Sequence, residues 1–207
     1  VPIDLEKLLH PGDVAVVVNE VQRDVVGDQT LLPGLKDAAT EIDLFGHIAP
    51  LLESARRALV PVVHCTVGPE AVPDAPPNYP GGSAMAKRRG SARADATGSE
   101  VVTEIGPVPS DIVVARHQGV TPFTGTELDG VLHRLGVRTI VACGVSLNVG
   151  IIGLCAEGVS LGYRVVVATD AVVGVPVEYG YAVLANTLPF LATRLTVKEI
   201  SSVWDTE

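Results

Sequence analysis

No stretch of this 207-residue chain stays apolar for anything near ~20 residues, the length a membrane-spanning helix needs, so no membrane partner is expected. Basic side chains are scarce: 15 Lys and Arg stand against 24 Asp and Glu, a formal charge of -9. A chain this acidic repels a phosphate backbone, so no nucleic-acid partner is expected. The stretch from Val1 to Asp13 lacks the basic flank and long apolar core of a secretory signal. Cysteine is sparse and odd in number: Cys65, Cys143 and Cys155 each fall in a predicted strand or helix. Buried, reduced thiols and a cytoplasmic setting follow as expectations. No internal repeat and no domain linker is visible. What the chain has in plenty is apolar surface, with 47% hydrophobic and 19% charged residues. That composition suits one well-packed domain over residues 1–207.

The chain is organised around Thr139–Gly174. Ile140–Cys143 reads as a buried strand and Gly144-Val145-Ser146 as a sharp turn. A helix is expected from about Asn148 to Leu161, ended by Gly162, and Arg164–Thr169 reads as a second strand. Strand, turn, helix, strand is a βαβ unit, which requires parallel strands and a right-handed crossover. Ligands in such sheets sit beyond the carboxyl ends of the strands, so Gly144–Gly150 is the first place to look for a site. Upstream, Val14–Val18 is a continuous apolar run, as strands buried on both faces are. Further strands are expected at Val60–Cys65, Asp111–Ala115 and, at an edge, Thr196–Ile200. Helices are expected over Glu41–Leu59, kinked or split by Pro50, from Thr126 as N-cap to Gly136, and over Val177–Leu191, interrupted by Pro189. Gly27–Lys36 reads as a loop and Val101–Ile105 as a short helix. Val67–Glu100 is rich in Pro, Gly, Ala and Ser. It reads as a lid or binding loop, with a helical turn at Met85–Arg89. Alternation of strands and helices indicates a three-layer α/β/α domain.

Two motifs carry a family resemblance. Gly144-Val145-Ser146-Leu147-Asn148-Val149-Gly150, followed by Leu161–Asp170 (LGYRVVVATD), resembles the isochorismatase-like hydrolases, which include nicotinamidases, N-carbamoyl amidohydrolases and isochorismatases. The resemblance covers nearly the whole chain. It implies a six-stranded, mostly parallel sheet, frequent homo-oligomers, a cis peptide between Val145 and Ser146, and an Asp–Lys–Cys catalytic triad. All three triad positions depart from that pattern. Glu20-Val21-Gln22-Arg23-Asp24-Val25 puts Glu20 at the Asp position. Counting back from Thr121-Pro122-Phe123-Thr124-Gly125-Thr126-Glu127-Leu128 puts His117, or with one residue of slack Arg116, at the Lys position. Gly150 stands where the nucleophilic Cys is expected, so no thiolate is in place to attack a carbonyl.

True isochorismatases resemble this chain in having Gly at the Cys position. They hydrolyse a vinyl ether, with the carboxylic acid as proton donor and no covalent intermediate. The reading is therefore a Cys-less hydrolase of a small-molecule substrate, working by acid/base chemistry with no cofactor. Glu20, His117 and Gly150 are its catalytic positions. An acid in a low-dielectric pocket holds its proton towards neutral pH, and a Glu carboxyl reaches ~1 Å further than Asp, a displacement that matters for rate. Phe123, Val145, Ser146 and Asn148 are candidate substrate contacts, with N–H groups near Ser146–Gly150 forming an anion nest. For each the plain structural role stays open: Phe123 as core, His117 as a surface residue, Gly150 as a packing glycine. At Gly150, substrate or water would fill the room of the missing thiol. Gln22 and Asp24 are expected to tie the first loop to neighbouring backbone, and Lys87, Arg88 and Arg89 to form a solvated patch or to meet an anionic substrate. No metal site is expected, because His64 and Asp74 lack a second nearby His. Cys155 lies on a different helix face from Gly150 and does not replace the nucleophile. The competing readings are a binding or assembly protein that has lost the triad, and an amidohydrolase with a relocated thiol.

Overall fold

The computed structural model describes residues 3–68, 79–91 and 97–205, with side chains throughout except at 85, 86 and 89–91. Asp74 and the Ala75–Pro77 stretch lie outside the described residues, as do most of the side chains expected to make the helical turn at Met85–Arg89. The described residues form a six-stranded sheet whose neighbouring strands all pair in parallel. The strands are β1 (Val14–Asn19), β2 (Val62–Val67), β3 (Ile112–Arg116), β4 (Thr139–Val145), β5 (Arg164–Val173) and β6 (Thr193–Leu195), in the order β3-β2-β1-β4-β5-β6. The helices are α1 (Leu5–Leu8), α2 (Pro33–Glu41), α3 (Leu44–Arg57), α4 (Pro80–Ser91), α5 (Leu128–Arg134), α6 (Ile152–Ser160), α7 (Val177–Asn186) and α8 (Val197–Trp204). Among the described residues, no helix is long and apolar enough to cross a membrane.

Every residue of β1 is buried, because side chains alternate between two cores. Val14, Val16 and Val18 face the layer of α1, α2, α3 and α8, where Leu44, Ile48, Leu51, Leu52, Ile200 and Trp204 are buried. Ala15 and Val17 face the opposite layer, with Leu128, Leu132, Ile151, Leu154 and Val183 from the α5–α7 side. This is the three-layer α/β/α arrangement expected. The strand order reverses direction on either side of β1, so the carboxyl ends of β1 and β4 flank a topological switch point.

Local propensity misleads in three places. Pro50 does not split α3: it is exposed, while Leu44, Ile48, Leu51, Leu52 and Ala55 are buried on the opposite face. The expected loop Gly27–Lys36 instead turns into α2 at Pro33, the first helical position, where a missing N–H costs nothing. The Val177–Leu191 helix is interrupted at Pro189 as expected: it ends at Asn186, and a 3-10 turn, Leu188–Phe190, carries the proline. The expected edge strand Thr196–Ile200 is helix α8. Thr196 Oγ1 accepts from Glu199 N at 3.2 Å while Glu199 Oε2 accepts from Thr196 N at 2.8 Å. That capping box, with Val197, Ile200 and Trp204 at helical spacing, overrides the β-branched composition. The sixth strand lies just before it and is three residues long.

One polar cluster is buried in this apolar frame. His64, on β2, is 1% exposed. Its Nε2 lies 3.1 Å from Asp111 Oδ2, and Arg56 of α3 donates to both oxygens of Asp111 at 3.2 and 2.6 Å. Burial pushes the Asp111 carboxyl up, but bonds from Arg56 and His64 outweigh it and hold it below the usual carboxylate range. Burial holds His64 below its ordinary value despite the pull of Asp111. The unfolded chain therefore takes up a proton at His64 below about pH 6.5 that the folded chain does not. Stability contributed by the neutral imidazole is full above that pH and falls as the pH drops through it. Asp111 stays ionised in this window. Between pH 7.5 and 5.5, urea unfolding should show the native chain losing about 1 kcal/mol more than a His64→Leu variant, in which Arg56 still pairs Asp111. Equal losses in the two proteins would remove His64 as the titrating group.

Candidate active site

The ends of β1 to β4 build a cleft of 190 Å³ lined by Glu20, Val25, Val67, Tyr79, Gly81, Arg116, Val120, Ser146, Val149 and Gly150. Its charged walls come from two strands. Glu20 follows β1 in the left-handed region, φ 54°, an unusual place for a residue with a Cβ. Its N–H is tied to the Cys65 carbonyl at 2.8 Å. Arg116 ends β3, is 7% exposed, and donates from Nη2 to Glu20 Oε1 at 2.7 Å. An adjacent guanidinium favours the ionised form of a carboxylate. The bonded geometry is charge-assisted and mostly shielded from water, the setting in which such a pair is strong.

The first loop is held as its motif suggested. Gln22 Oε1 accepts from Val67 N at 2.7 Å, and Gln22 Nε2 donates to the carbonyls of Val67 and Ser99 at 3.1 and 3.0 Å. Asp24 N donates to Gly98 O at 2.9 Å. On the other wall, β4 runs into a cis peptide between Val145 and Ser146. A π-helical turn, Leu147–Ile151, then leads into α6. Gly144, at φ 102°, lies so close to Asn19 that a Cβ would collide with the Asn19 carbonyl oxygen. A Cβ on Gly150 would lie 2.5 Å from Asn19 Nδ2.

Glu20, Ser146 and Gly150 thus share one cleft, and Arg116 joins them. His117 does not. The next residue along an extended strand points the other way, and the exposed His117 ring packs against Gly68. Arg116, the alternative with one residue of slack, is the one that lines the cleft. Phe123 is not a cleft wall either. It is 5% exposed and stacks on Tyr163 in the α5–α6 core, with ring centroids 5.9 Å apart, and Val120 takes the wall. Val145 is fully buried, its carbonyl accepting from Asn19 Nδ2. Asn148 is turned aside: its Oδ1 accepts from Ser146 Oγ and its Nδ2 donates to Val175 O at 2.9 Å. On α4, Lys87 is exposed and Arg88 donates to Leu31 O at 2.8 Å; the Arg89 side chain is not among those described. Tyr79, Val120 and Asn19 were missed by sequence reasoning. Asn19 alone left a signal, a polar residue closing a run of five apolar ones.

None of the three thiols reaches this cleft. Cys65, Cys143 and Cys155 are free and buried. Burial pushes Cys143 and Cys155 up to about 12. It raises Cys65 further, helped by the charge of Glu20 and opposed by Arg116. Among the described residues, no group of three His, Cys, Asp or Glu is placed to hold a metal ion.

With this geometry in place, comparison with known proteins is informative. The Isochorismatase domain matches residues 14–199. An uncharacterized isochorismatase family protein of Bacillus subtilis is 36% identical over 110 residues, 53% of this chain and 58% of that protein. A second such protein, from Escherichia coli, is matched over 50% of its length, so the chain spans little more than half of these two curated relatives. A ureidoacrylate amidohydrolase of Rhizobium rhizogenes is 31% identical over 179 residues, 79% of this chain and 71% of that enzyme. Among solved structures, an isochorismatase family protein of Burkholderia thailandensis superposes with a TM-score of 0.72 at 25% identity, covering 95% of this chain and 97% of that one. The match over residues 14–199 and the shared six-stranded parallel architecture together establish that this chain belongs to the isochorismatase family.

Proposed function

We propose that this chain hydrolyses a small molecule in the Glu20–Arg116 cleft without a covalent thioester. One observation carries the reading: the cleft holds a carboxylate and a guanidinium 2.7 Å apart over a glycine, while every thiol of the chain is buried elsewhere. The Glu20 carboxylate takes a proton from a water molecule as its oxygen adds to the substrate, and passes that proton to the leaving group. Water is thereby divided between the two products, and no group on the protein is consumed. Among the described residues the Arg116 guanidinium makes one hydrogen bond, to Glu20. Its other N–H donors serve an anionic substrate group or the negative charge that develops on oxygen. Val25, Val67, Val120 and Val149 give the cleft apolar walls that suit a small organic body. The amidohydrolase named among the relatives supports hydrolysis as the reaction class.

A second reading is a binding protein that keeps the fold. The closed Glu20–Arg116 pair favours it, because a self-neutralised cleft is also what a non-catalytic member would hold. Turnover separates the two. A panel of simple amides, N-carbamoyl compounds and vinyl ethers should contain a substrate, and Glu20→Gln should lower its kcat by roughly 10²–10⁴-fold with the fold intact by circular dichroism. Binding of panel members without turnover would instead support the binding protein. Iodoacetamide should leave turnover unchanged in the native protein, with Cys65, Cys143 and Cys155 labelled only after unfolding, as read by mass spectrometry. Loss of activity in step with labelling of one cysteine in folded protein would overturn the thiol-independent mechanism.

A further inference from the structure

Gly150 leaves a question that its alignment with a nucleophile position does not answer: what occupies the room that a side chain there would take. A bound water or substrate is the expectation from sequence. The structure places a side chain of the protein itself in that room. The Cα–Cβ direction at Gly150 leads straight into the carboxamide of Asn19, 2.5 Å from Nδ2, far inside ordinary van der Waals contact. Asn19 is 0% exposed. It closes β1 on the face that looks towards α6, the same face as Ala15 and Val17, between Cys65 of β2 and Gly144 of β4. Its Nδ2 donates to the Val145 carbonyl, the residue that leads into the Ser146 turn. Its Oδ1 is buried and has no hydrogen-bond partner among the described residues.

We infer that Asn19 takes the place of the missing nucleophile: its carboxamide fills the volume of a side chain at residue 150 and positions the Val145–Gly150 wall of the cleft. The two residues form one unit. Glycine at 150 is required because Asn19 lies beneath it, and Asn19 holds the turn by a bond to Val145. A Cβ at 150 forces the carboxamide aside. Asn19 has no solvent to swing into, because it is 0% exposed between β2, β4 and the turn at Gly150. A lone Gly150→Cys change therefore does not rebuild a thiol site here, even apart from the lysine that the chain lacks.

This inference rests on reading Gly150 as the nucleophile position, and its tests read stability and thiol labelling, not turnover, so its failure would leave the Glu20 chemistry to be judged separately. Thermal unfolding of the native chain, Gly150→Ala, Asn19→Ala and Asn19→Ala/Gly150→Ala forms a double-mutant cycle, with Asn19→Ser carried in parallel as a smaller change. Gly150→Ala should lower Tm by about 4–8 °C in the native background, and by less than a third of that where Asn19 has been shortened. Thiol labelling supplies the second readout. The cysteine introduced by Gly150→Cys should resist iodoacetamide, and in Asn19→Ala/Gly150→Cys it should react at least ten times faster. A Gly150→Ala protein as stable as the native chain overturns the inference, as does a Gly150→Cys thiol that labels at the rate of the double variant. A fall in Tm that no Asn19 substitution relieves overturns it too, whether because the shifts add or because the double variants do not fold.

Discussion

The cleft depends on the register in which β1 is held between β2 and β4. Asn19 lies level with Cys65 on one side and Gly144 on the other. That alignment is tight enough that Gly144 has no room for a side chain against the Asn19 backbone. Because the strands are parallel, their carboxyl ends finish at one edge, and the residues immediately beyond them converge. Glu20, Val67, Arg116 and Ser146 are far apart in sequence, yet each ends a strand or follows one. A slip of one residue in any ladder would send the charged group to the opposite face, which is the difference between Arg116 in the cleft and His117 beside Gly68.

Within that edge, the proposed chemistry rests on three positions. Two of them, Glu20 and Arg116, are an acid and a base of opposite charge in hydrogen-bonding contact. Arginine differs from lysine in remaining charged and in presenting a planar fork, so the pair is oriented as well as neutralised. The third position is Gly150, where the proposed chemistry needs no covalent intermediate and where the neighbouring Asn19 carboxamide leaves no room for a Cβ. The buried thiols carry no compensating reactivity, because burial disfavours their ionised form.

A second polar cluster, His64–Asp111–Arg56, shows the contrast between a site and a satisfied core network. It is charged, buried and hydrogen-bonded, but it faces α3 from the opposite side of β2 to Cys65's neighbours on the α6 side, away from the convergent edge. Perturbed groups alone do not mark a site. Position relative to the strand ends does.

The first five strands, their parallel sheet and the βαβ turn at Gly144–Ser146 were legible in the chain, because they rest on short-range signals: apolar runs, glycine turns and motif spacing. Pro33 as a helix start and the Thr196–Glu199 capping box were equally local and were outweighed by loop-like and β-branched composition. The continuity of α3 through Pro50 was not local at all, since burial of five side chains outweighs one missing hydrogen bond. The partner of Glu20, the burial of Phe123 and the filling of the Gly150 position by Asn19 were decided only when the strands took their register. Each depends on which way a side chain points across residues separated by tens of positions, and that direction is a property of packing, which no local pattern encodes.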